Sequence, residues 1–208
     1  MESAFRDPEL RLIETFGWDG TVYPRLARHL ARMKTSAEVL GFPCNTDLLR
    51  AALPEAPGSR PLRLRLTLSR HGKVELASAP LAPNPAEWRI AVARDRVTST
   101  DLRLAHKTTD RALYDQTRTS LPQGVDEMLF VNEREELTEG TITNLFFDLG
   151  NGLSTPPLSA GCLPGCLRAE LIETGRAREA VLHINQLASA TLFVGNSLRR
   201  LIPARLVI

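Results

Sequence analysis

The stretch His106-Lys107-Thr108-Thr109-Asp110-Arg111-Ala112-Leu113-Tyr114-Asp115 lies near the middle of the 208-residue chain and carries one of its three lysines. Arginine stays protonated and cannot act as an amine nucleophile, so Schiff-base or lysine-base chemistry must use Lys34, Lys73 or Lys107. Lys34 falls in an amphipathic helical pattern and Lys73 in a turn, so both are predicted to be solvated. Composition alone would make Lys107 a surface residue as well, and its chemistry therefore depends on further observations.

The composition is that of an ordinary soluble globular protein, with 43% hydrophobic and 24% charged residues. The net charge is only +2 and the charges are interspersed, which argues against a nucleic-acid partner. No apolar run approaches the ~18 residues of a membrane span, and the amino terminus has no signal-peptide core. We therefore expect a cytoplasmic protein without a membrane partner.

Three cysteines, Cys44, Cys162 and Cys166, are odd in number, and the CxxxC pair lacks the further ligands that a zinc site needs. We expect three free thiols in a reducing compartment and no bound metal.

Local patterns in the first half predict both helices and strands. Residues 11–23 alternate up to a turn at Asp19-Gly20, which predicts a β-hairpin. The segment from Pro24 to Gly41 predicts a helix, because apolar residues recur at spacings of 3 and 4. A short helix over Asp47–Leu53 follows, with Asn45 or Thr46 as its cap. Four leucines between Leu62 and Leu68 alternate with polar residues and predict the first strand of a second hairpin.

The second half is richer in strands. Residues 94–105 have the composition of a linker, so we predict an amino-terminal α+β domain over 1–96, a linker over 97–105 and a larger β-rich domain over 106–208. Within the second domain the patterns predict a helix at 110–118 and strands at Met128–Asn132 and Ile142–Asp148. Leu163-Pro164-Gly165 precedes a predicted helix over Cys166–Thr174. The fold class predicted for the whole chain is α+β.

Several segments resemble one enzyme family. The run HKTTDRALYD is similar to the segment that carries the cofactor lysine in the class IV aminotransferases, the fold-type IV pyridoxal-phosphate enzymes. Within that family it is most similar to aminodeoxychorismate lyases and to the lyase domains of fused para-aminobenzoate synthases. Further blocks resemble the family in its order: Leu12–Thr15, His29–Arg32, Asn132–Arg134 with Leu137–Asn144, Gly161–Arg168 and Val194–Ser197.

The resemblance implies the two-domain fold of the D-amino acid aminotransferase type and a site for pyridoxal 5'-phosphate. Lys107 is implied as the residue that bonds the cofactor covalently and shuttles protons, and Glu139 as the partner of the pyridine nitrogen. The implied phosphate ligands are Arg32, supported by His29, together with Cys166, Leu167, Asn196 and Ser197.

Substrate residues are less specified. Arg63, Arg65 and Arg70 are candidates for binding a substrate carboxylate, because a planar guanidinium forks onto one, although strand arginines are more often solvated. Aminotransferases of the family bond the phenolic oxygen of the cofactor with a tyrosine five positions after the lysine. This chain has Ala112 there, and Tyr114 is the candidate for that role or for the substrate.

Three functions follow from the resemblance. The first is an aminodeoxychorismate lyase, an enzyme of folate biosynthesis that forms para-aminobenzoate and pyruvate. The second is a transaminase for branched-chain or D-amino acids. The third is a degenerate scaffold that binds the cofactor without turnover, because the family's amino-terminal hairpin and Gly-rich segment have no counterpart ahead of Leu12. The expected partners are a small amino substrate and a second copy of the chain in a homodimer.

Overall fold

The computed structural model describes residue 5 and residues 7–55 and 58–207. The chain forms two compact units. The first runs to Pro83 and includes His106–Asp110, and the second comprises Asn84–Ala105 and the chain from Arg111 onward. Within the described ranges, no helix is both long enough and apolar enough to cross a membrane.

The first unit combines two helices with a three-stranded antiparallel sheet of order β1-β2-β3. Its elements are β1 (Arg11–Trp18), α1 (Leu26–Leu40), α2 (Thr46–Ala51), β2 (Leu62–Ser69) and β3 (Val74–Pro80). The alternation predicted for β2 is confirmed, since Leu64, Leu66 and Leu68 are buried while Arg63 and Arg65 are exposed. One face of the sheet therefore packs with α1 around the core of this unit.

Helix α1 follows its predicted pattern but starts later. Leu30, Met33 and Ala37 of the apolar stripe are buried. Gly41 ends the helix in the left-handed conformation, at φ 71°, and its N–H donates to the carbonyl of Ala37. Arg25 also has a left-handed backbone, at φ 59°, so the helix begins at Leu26 and Pro24 is not its first residue.

The hairpin predicted for residues 11–23 is wrong. After Trp18 the carboxylate of Asp19 accepts hydrogen bonds from the backbone N–H groups of Thr21 (2.9 Å) and Val22 (2.9 Å), which forms a local turn. The chain then enters α1 without a returning strand. The partner of β1 is instead β2, with Trp18 opposite Leu62 and Arg11 opposite Ser69.

The segment that carries Lys107 lies along the other edge of β1. The N–H of Ile13 donates to the carbonyl of Lys107 (2.8 Å), and the N–H of Thr109 donates to the carbonyl of Arg11 (2.9 Å). Leu12 and Thr108 form an antiparallel bridge between them. These bonds are the reason why five residues from the middle of the chain belong to the first unit.

The second unit contains most of the strands. Its elements are β4 (Trp88–Val97), α3 (Ala112–Thr119), β5 (Glu127–Asn132), β6 (Leu137–Gly140), β7 (Asn144–Asp148), β8 (Ser154–Thr155), α4 (Cys166–Glu173), β9 (Arg178–Glu179), β10 (Thr191–Asn196) and β11 (Arg200–Leu206). Short 3-10 turns occur at Leu102–Ala105, Leu158–Ala160 and Ile184–Ser189.

Six of these strands close into a ring. They follow the order β10-β11-β4-β5-β6-β7, and β10 pairs with β7 as well as with β11. The pairs β11–β4 and β4–β5 are parallel, while the others are antiparallel. Strand β7 is buried on both faces: Leu145 and Phe147 pack in one cluster and Phe146 packs with Leu171 of α4 in another. Burial on both faces explains why this strand reads as an apolar run without alternation.

The bounds of the two units differ from those predicted for the domains. Residues 84–96 were predicted to belong to the first domain, but β4 hydrogen-bonds to β5 and β11 of the second unit. The predicted linker over 97–105 contains the buried end of β4 at Val97 and a 3-10 turn. Pairing with strands distant in the sequence decides to which unit a segment belongs, and the composition along the chain does not reveal this pairing. The predicted fold class, α+β, is confirmed.

Candidate active site

The three lysines have different surroundings. Lys34 and Lys73 have side chains that are 55% and 69% exposed and pair with Glu38 (3.7 Å) and Glu75 (2.7 Å). Lys107 is partly buried, and the segment that carries it is attached to β1 by the bonds described above. The neighbouring His106 also contacts α1, with its Nδ1 3.0 Å from the hydroxyl oxygen of Ser36. Of the three lysines, all of which lie in the described part of the chain, Lys107, the predicted nucleophile, is therefore the one whose segment pairs with the distant strand β1.

A buried acid on β1 holds two predicted residues of α1. The side chain of Glu14 is 1% exposed. The Nε–H and one Nη–H of Arg32 donate to its two carboxylate oxygens, at 2.8 and 2.7 Å. Nδ1 of His29 lies 2.6 Å from Oε2 of the same carboxylate. The spacing of three residues places His29 and Arg32 on one face of α1, so both reach the same acid.

Burial and the neighbours of Glu14 act on its pKa in opposite directions. Burial alone would raise the pKa of the carboxyl, but the guanidinium of Arg32 and the hydrogen bonds from His29 and Arg32 bring the pKa down to about 2. Glu14 is thus a carboxylate at neutral pH and fixes the orientation of Arg32. Glu14 was not among the predicted site residues, although it lies in the block Leu12–Thr15 that carries part of the resemblance.

The candidate arginines for a substrate carboxylate are of two kinds. Arg63 and Arg65 point out of β2 and are exposed. Arg70 follows β2, donates from Nε to the carbonyl of Asp7 (3.0 Å) and stacks over the ring of Phe42 at 5.0 Å. These contacts give Arg70 a structural role in its turn, while binding of a carboxylate by Arg63 or Arg65 stays a prediction.

In the second unit, Glu139 lies on β6 and is 6% exposed. The hydroxyl of Tyr114 donates to its Oε1 at 3.0 Å, and Nδ2 of Asn144 donates to its Oε2 at 3.2 Å. Each carboxylate oxygen therefore accepts a hydrogen bond from a neutral side chain. Glu139 and Asn144 are directly opposite in the β6–β7 pair, so the antiparallel ladder itself brings the acid and the amide together.

Tyr114 is held by packing as well as by its hydroxyl. Its ring lies 4.8 Å from that of Phe130 on β5, and the guanidinium of Arg111 sits 5.6 Å from the ring centre. Burial and the nearby Glu139 carboxylate raise the pKa of the Tyr114 hydroxyl. Tyr114 consequently keeps its proton at neutral pH and serves as a hydrogen-bond donor.

Asn144 links Glu139 to the start of α4. Its Nδ2 also donates to the carbonyl of Leu163 at 3.0 Å. Gly165 precedes α4, and a Cβ atom there would lie only 1.8 Å from Oδ1 of Asn144. Glycine is therefore required at position 165, because it lets the backbone approach the amide closely. Cys166 and Leu167, the predicted phosphate ligands, are the two buried residues that follow Gly165 in α4. Their binding of phosphate stays a prediction.

Asn196 ends β10 and organises the turn that follows. Its Nδ2 donates to the carbonyl of Ile142 at 3.0 Å, and its Oδ1 accepts from the N–H groups of Leu198 (3.0 Å) and Arg199 (2.8 Å). Its side chain thus shapes the backbone around Ser197. Phosphate binding by Asn196 and Ser197 stays a prediction.

A second buried acid of this unit was missed by the sequence reasoning. Glu127 at the start of β5 is fully buried. Its carboxylate accepts hydrogen bonds from the N–H and hydroxyl of Thr141, the N–H of Ile142 (3.2 Å) and the hydroxyl of Thr143 (3.0 Å). These donors form the loop between Glu139 and Asn144. The sequence did offer a signal for Glu127, because it is an acidic residue at the start of an apolar strand. An acid buried in such a place needs hydrogen-bond partners.

The cysteines are free thiols, as predicted: Cys162 and Cys166 are buried and Cys44 is partly buried. Burial, together with the charge of Glu139, raises the pKa of the Cys162 thiol to about 12. Cys162 is therefore an unreactive thiol at neutral pH.

Comparison with known proteins identifies the family. The model of the amino-transferase class IV family matches residues 11–207. A crystal structure from Mesorhizobium loti, assigned as an amino-acid aminotransferase, is 46% identical; it is matched over 96% of this chain and 100% of its own, with a TM-score of 0.88.

Two relatives bear the name of a lyase. A Schizosaccharomyces pombe protein assigned as an aminodeoxychorismate lyase is 29% identical over 82% of this chain and 77% of its own length. The structure of 4-amino-4-deoxychorismate lyase from Pseudomonas aeruginosa is 25% identical, with a TM-score of 0.79 over 94% of this chain and 82% of its own. Because the family match extends over nearly the whole chain, this protein belongs to the class IV aminotransferases, a family of pyridoxal-phosphate-dependent enzymes.

Proposed function

We propose that the protein is a lyase of the aminodeoxychorismate type, which converts 4-amino-4-deoxychorismate to para-aminobenzoate and pyruvate. One observation carries the choice among the activities of the family. Position 112, where the aminotransferases have their tyrosine, is an exposed alanine at the start of α3, and the hydroxyl of Tyr114 is directed to Glu139. The donor that aminotransferases direct at the phenolic oxygen is thus missing from these two positions.

The residues of the second unit fit pyridoxal phosphate at two points. A buried carboxylate that accepts hydrogen bonds from neutral donors, as Glu139 does, is suited to hold the protonated ring nitrogen. Helix α4 starts after Gly165 without a side-chain cap, so its first N–H groups and its dipole suit a phosphate. When bound, the cofactor supplies an electron sink for the reacting carbon of the substrate amine.

Lys107 would act through its Nζ atom. Lys107 would hold the cofactor in the resting enzyme. Once the substrate amine is bound, the free amine of Lys107 would remove the proton from the ring carbon that bears the amino group. The ring becomes aromatic as the bond to the three-carbon side chain breaks, and the proton is returned to that fragment, which leaves as pyruvate. Glu14 would contribute by orienting Arg32, whose predicted partner is the cofactor phosphate.

Lys107→Ala tests the proposal directly. We expect the variant to fold but to lose pyruvate release from aminodeoxychorismate by about 10⁴-fold, because both the covalent link and the proton shuttle are removed. Lys34→Ala is the matched control, since that side chain is exposed and pairs only loosely with Glu38. Borohydride reduction of the holoenzyme followed by peptide mapping should label Lys107. A label on Lys34 or Lys73, or none at all, would contradict the proposal and favour a non-catalytic scaffold.

Transamination is the second candidate, because the Mesorhizobium loti relative at 46% identity is assigned as an amino-acid aminotransferase. Amino transfer from leucine or D-alanine to 2-oxoglutarate, without pyruvate release from aminodeoxychorismate, would support it over the lyase. The resemblance to the family also underlies our proposal of a homodimer, which sedimentation at micromolar concentration tests.

A further inference from the structure

Tyr114 lies where helix α3 meets the loop between β6 and β7. Its hydroxyl donates to Oε1 of Glu139, and its ring packs against Phe130. Arg111, the residue just before α3, stacks on that ring and donates to the carbonyl of Thr141 at 2.7 Å. The tyrosine is thereby fixed at both its ring and its hydroxyl relative to the loop that follows Glu139.

We propose that Tyr114 is a positioning residue, which acts through Glu139 to set how tightly the protein binds the ring nitrogen of its cofactor. This inference rests on the function proposed above, in which Glu139 faces that nitrogen. It replaces the role predicted for Tyr114 at the phenolic oxygen.

The direction of the hydroxyl proton distinguishes the two roles. A tyrosine hydroxyl has one proton to donate, and here it is donated to Glu139. The raised pKa of Tyr114 keeps that proton in place at neutral pH. A second donation, to a phenolic oxygen, would require the bond to Glu139 to break and would leave a buried carboxylate oxygen without this partner.

The two donors to Glu139 also restrict its rotation. Tyr114 occupies Oε1 and Asn144 occupies Oε2, so the carboxylate plane is fixed by contacts at both oxygens. Hydrogen bonds donated to a carboxylate favour its ionised form, which is the form that holds a protonated ring nitrogen. Loss of the Tyr114 hydroxyl would remove one of these hydrogen bonds and weaken both effects, while the ring could still pack against Phe130.

The test compares two non-covalent ligands of the apo-protein: pyridoxamine 5'-phosphate and its 1-deaza analogue, in which carbon replaces the ring nitrogen. For Tyr114→Phe we expect the Kd of pyridoxamine phosphate to rise about tenfold, the effect of one hydrogen bond to a charged group. The Kd of the deaza analogue should change less than about twofold, because the analogue has no nitrogen for Glu139 to hold.

Tyr23→Phe is the matched control. Tyr23 is the other tyrosine of the chain, and its hydroxyl donates to the carbonyl of Pro54 at 2.7 Å, outside the proposed machinery. Loss of the Tyr23 hydroxyl should leave the Kd values of both ligands unchanged. Glu139→Gln serves as the reference for lost discrimination between the two ligands, and thermal melting of each apo-variant checks that it is folded.

The outcomes separate the inference from the proposed function. Equal weakening of both ligands by Tyr114→Phe would mean that the tyrosine is only structural, and no change for either would mean that it does not act on Glu139. Both results overturn the inference while leaving the lyase proposal intact. If the wild-type protein binds neither ligand, the proposed function fails and this inference fails with it.

Discussion

Glu14 and Glu139 are both buried acids, but the two units satisfy them by different means. Glu14 is paired with the guanidinium of Arg32 and contacts the ring of His29. Glu139 accepts hydrogen bonds from the hydroxyl of Tyr114 and the amide of Asn144. The first arrangement includes a direct pair with an opposite charge, whereas the second includes two oriented dipoles of neutral side chains.

The difference has a consequence for each unit. A carboxylate that pairs with a buried cation supports the fold itself, because removal of the acid leaves the cation without its counter-charge. A carboxylate that accepts hydrogen bonds from two neutral donors is oriented by them and keeps its negative charge, which suits it to hold a positive group such as a protonated ring nitrogen. We therefore expect changes at Glu14 to act mainly on stability and changes around Glu139 to act mainly on cofactor binding.

The largest effect on stability is expected for Glu14→Gln. The substitution keeps the shape of the side chain but removes the charge opposite Arg32, whose own side chain is largely buried. The free energy of unfolding should fall by about 3–5 kcal/mol at neutral pH, as for other broken buried pairs. Urea unfolding of the apo-protein, followed by circular dichroism, measures it.

Glu38→Gln is the control for this change. Its side chain is 63% exposed and lies 3.7 Å from Lys34, so the loss should be at most about 0.5 kcal/mol. Equal losses for the two variants would show that the buried pair contributes no more than an exposed one, and the contrast between the two units would then disappear.

The ion pair between Glu14 and Arg32 should also make the stability of the protein depend on pH. The pKa of Glu14 is about 2 in the folded protein against 4.5 for the unfolded chain. Its contribution is therefore fully present above about pH 4.5 and is lost as the pH falls towards 2. The shift corresponds to about 3 kcal/mol, and Glu14→Gln should lack this part of the acid transition. Unfolding curves at a series of pH values between 2 and 6 measure it, and identical acid transitions for both proteins would contradict the assignment.

A smaller effect on stability is expected for Gly165→Ala, which disturbs the neutral network. The new Cβ would displace Oδ1 of Asn144, although the amide of that residue is bonded to Glu139 and to Leu163. Overpacking of this kind typically costs about 1–3 kcal/mol. We also expect weaker binding of pyridoxal phosphate, because the same displacement moves a partner of Glu139. Thermal melting and a fluorescence titration with the cofactor measure the two effects.

The double variant Asn144→Ala/Gly165→Ala sharpens this prediction. With the amide already removed, the alanine at 165 has nothing to displace and should add little to the cost of Asn144→Ala. Strict additivity of the two single changes would show that the close approach between Gly165 and Asn144 is not the cause.

Sequence patterns were most informative where neighbouring residues decide the structure. The stripe of α1, its end at Gly41 and the alternation in β2 were predicted and are observed, and of the two caps predicted for α2 the structure has Asn45. Each depends on contacts within about one helical turn or on which face of a strand meets the core. The hairpin at residues 11–23 was wrong because its alternation was real but its partner strand lay more than forty residues away.

In the candidate site, too, some residues were predictable from the sequence and others are recognisable only in the structure. Resemblance selected Lys107, Arg32 and Glu139, and all three lie in well-defined surroundings. It did not select Glu14, Glu127 or Asn144, which hold parts of the site in place. Supporting residues of this kind have no distinctive chemistry of their own, so they are recognisable only from the atoms that they contact.

The amino-acid sequence by itself determined most of the local elements and the family resemblance, from which the role of Lys107 is predicted, because these depend on residue type and spacing. Tertiary structure alone decided that the Lys107 segment lies along β1, that β4 joins the ring of strands, and that Tyr114 donates to Glu139. The physical reason is that backbone pairing and side-chain hydrogen bonds join residues from 25 to more than 100 positions apart. Each polar group has several possible hydrogen-bond partners along the chain, and the one it pairs with is determined only when burial removes water as a competing donor and acceptor.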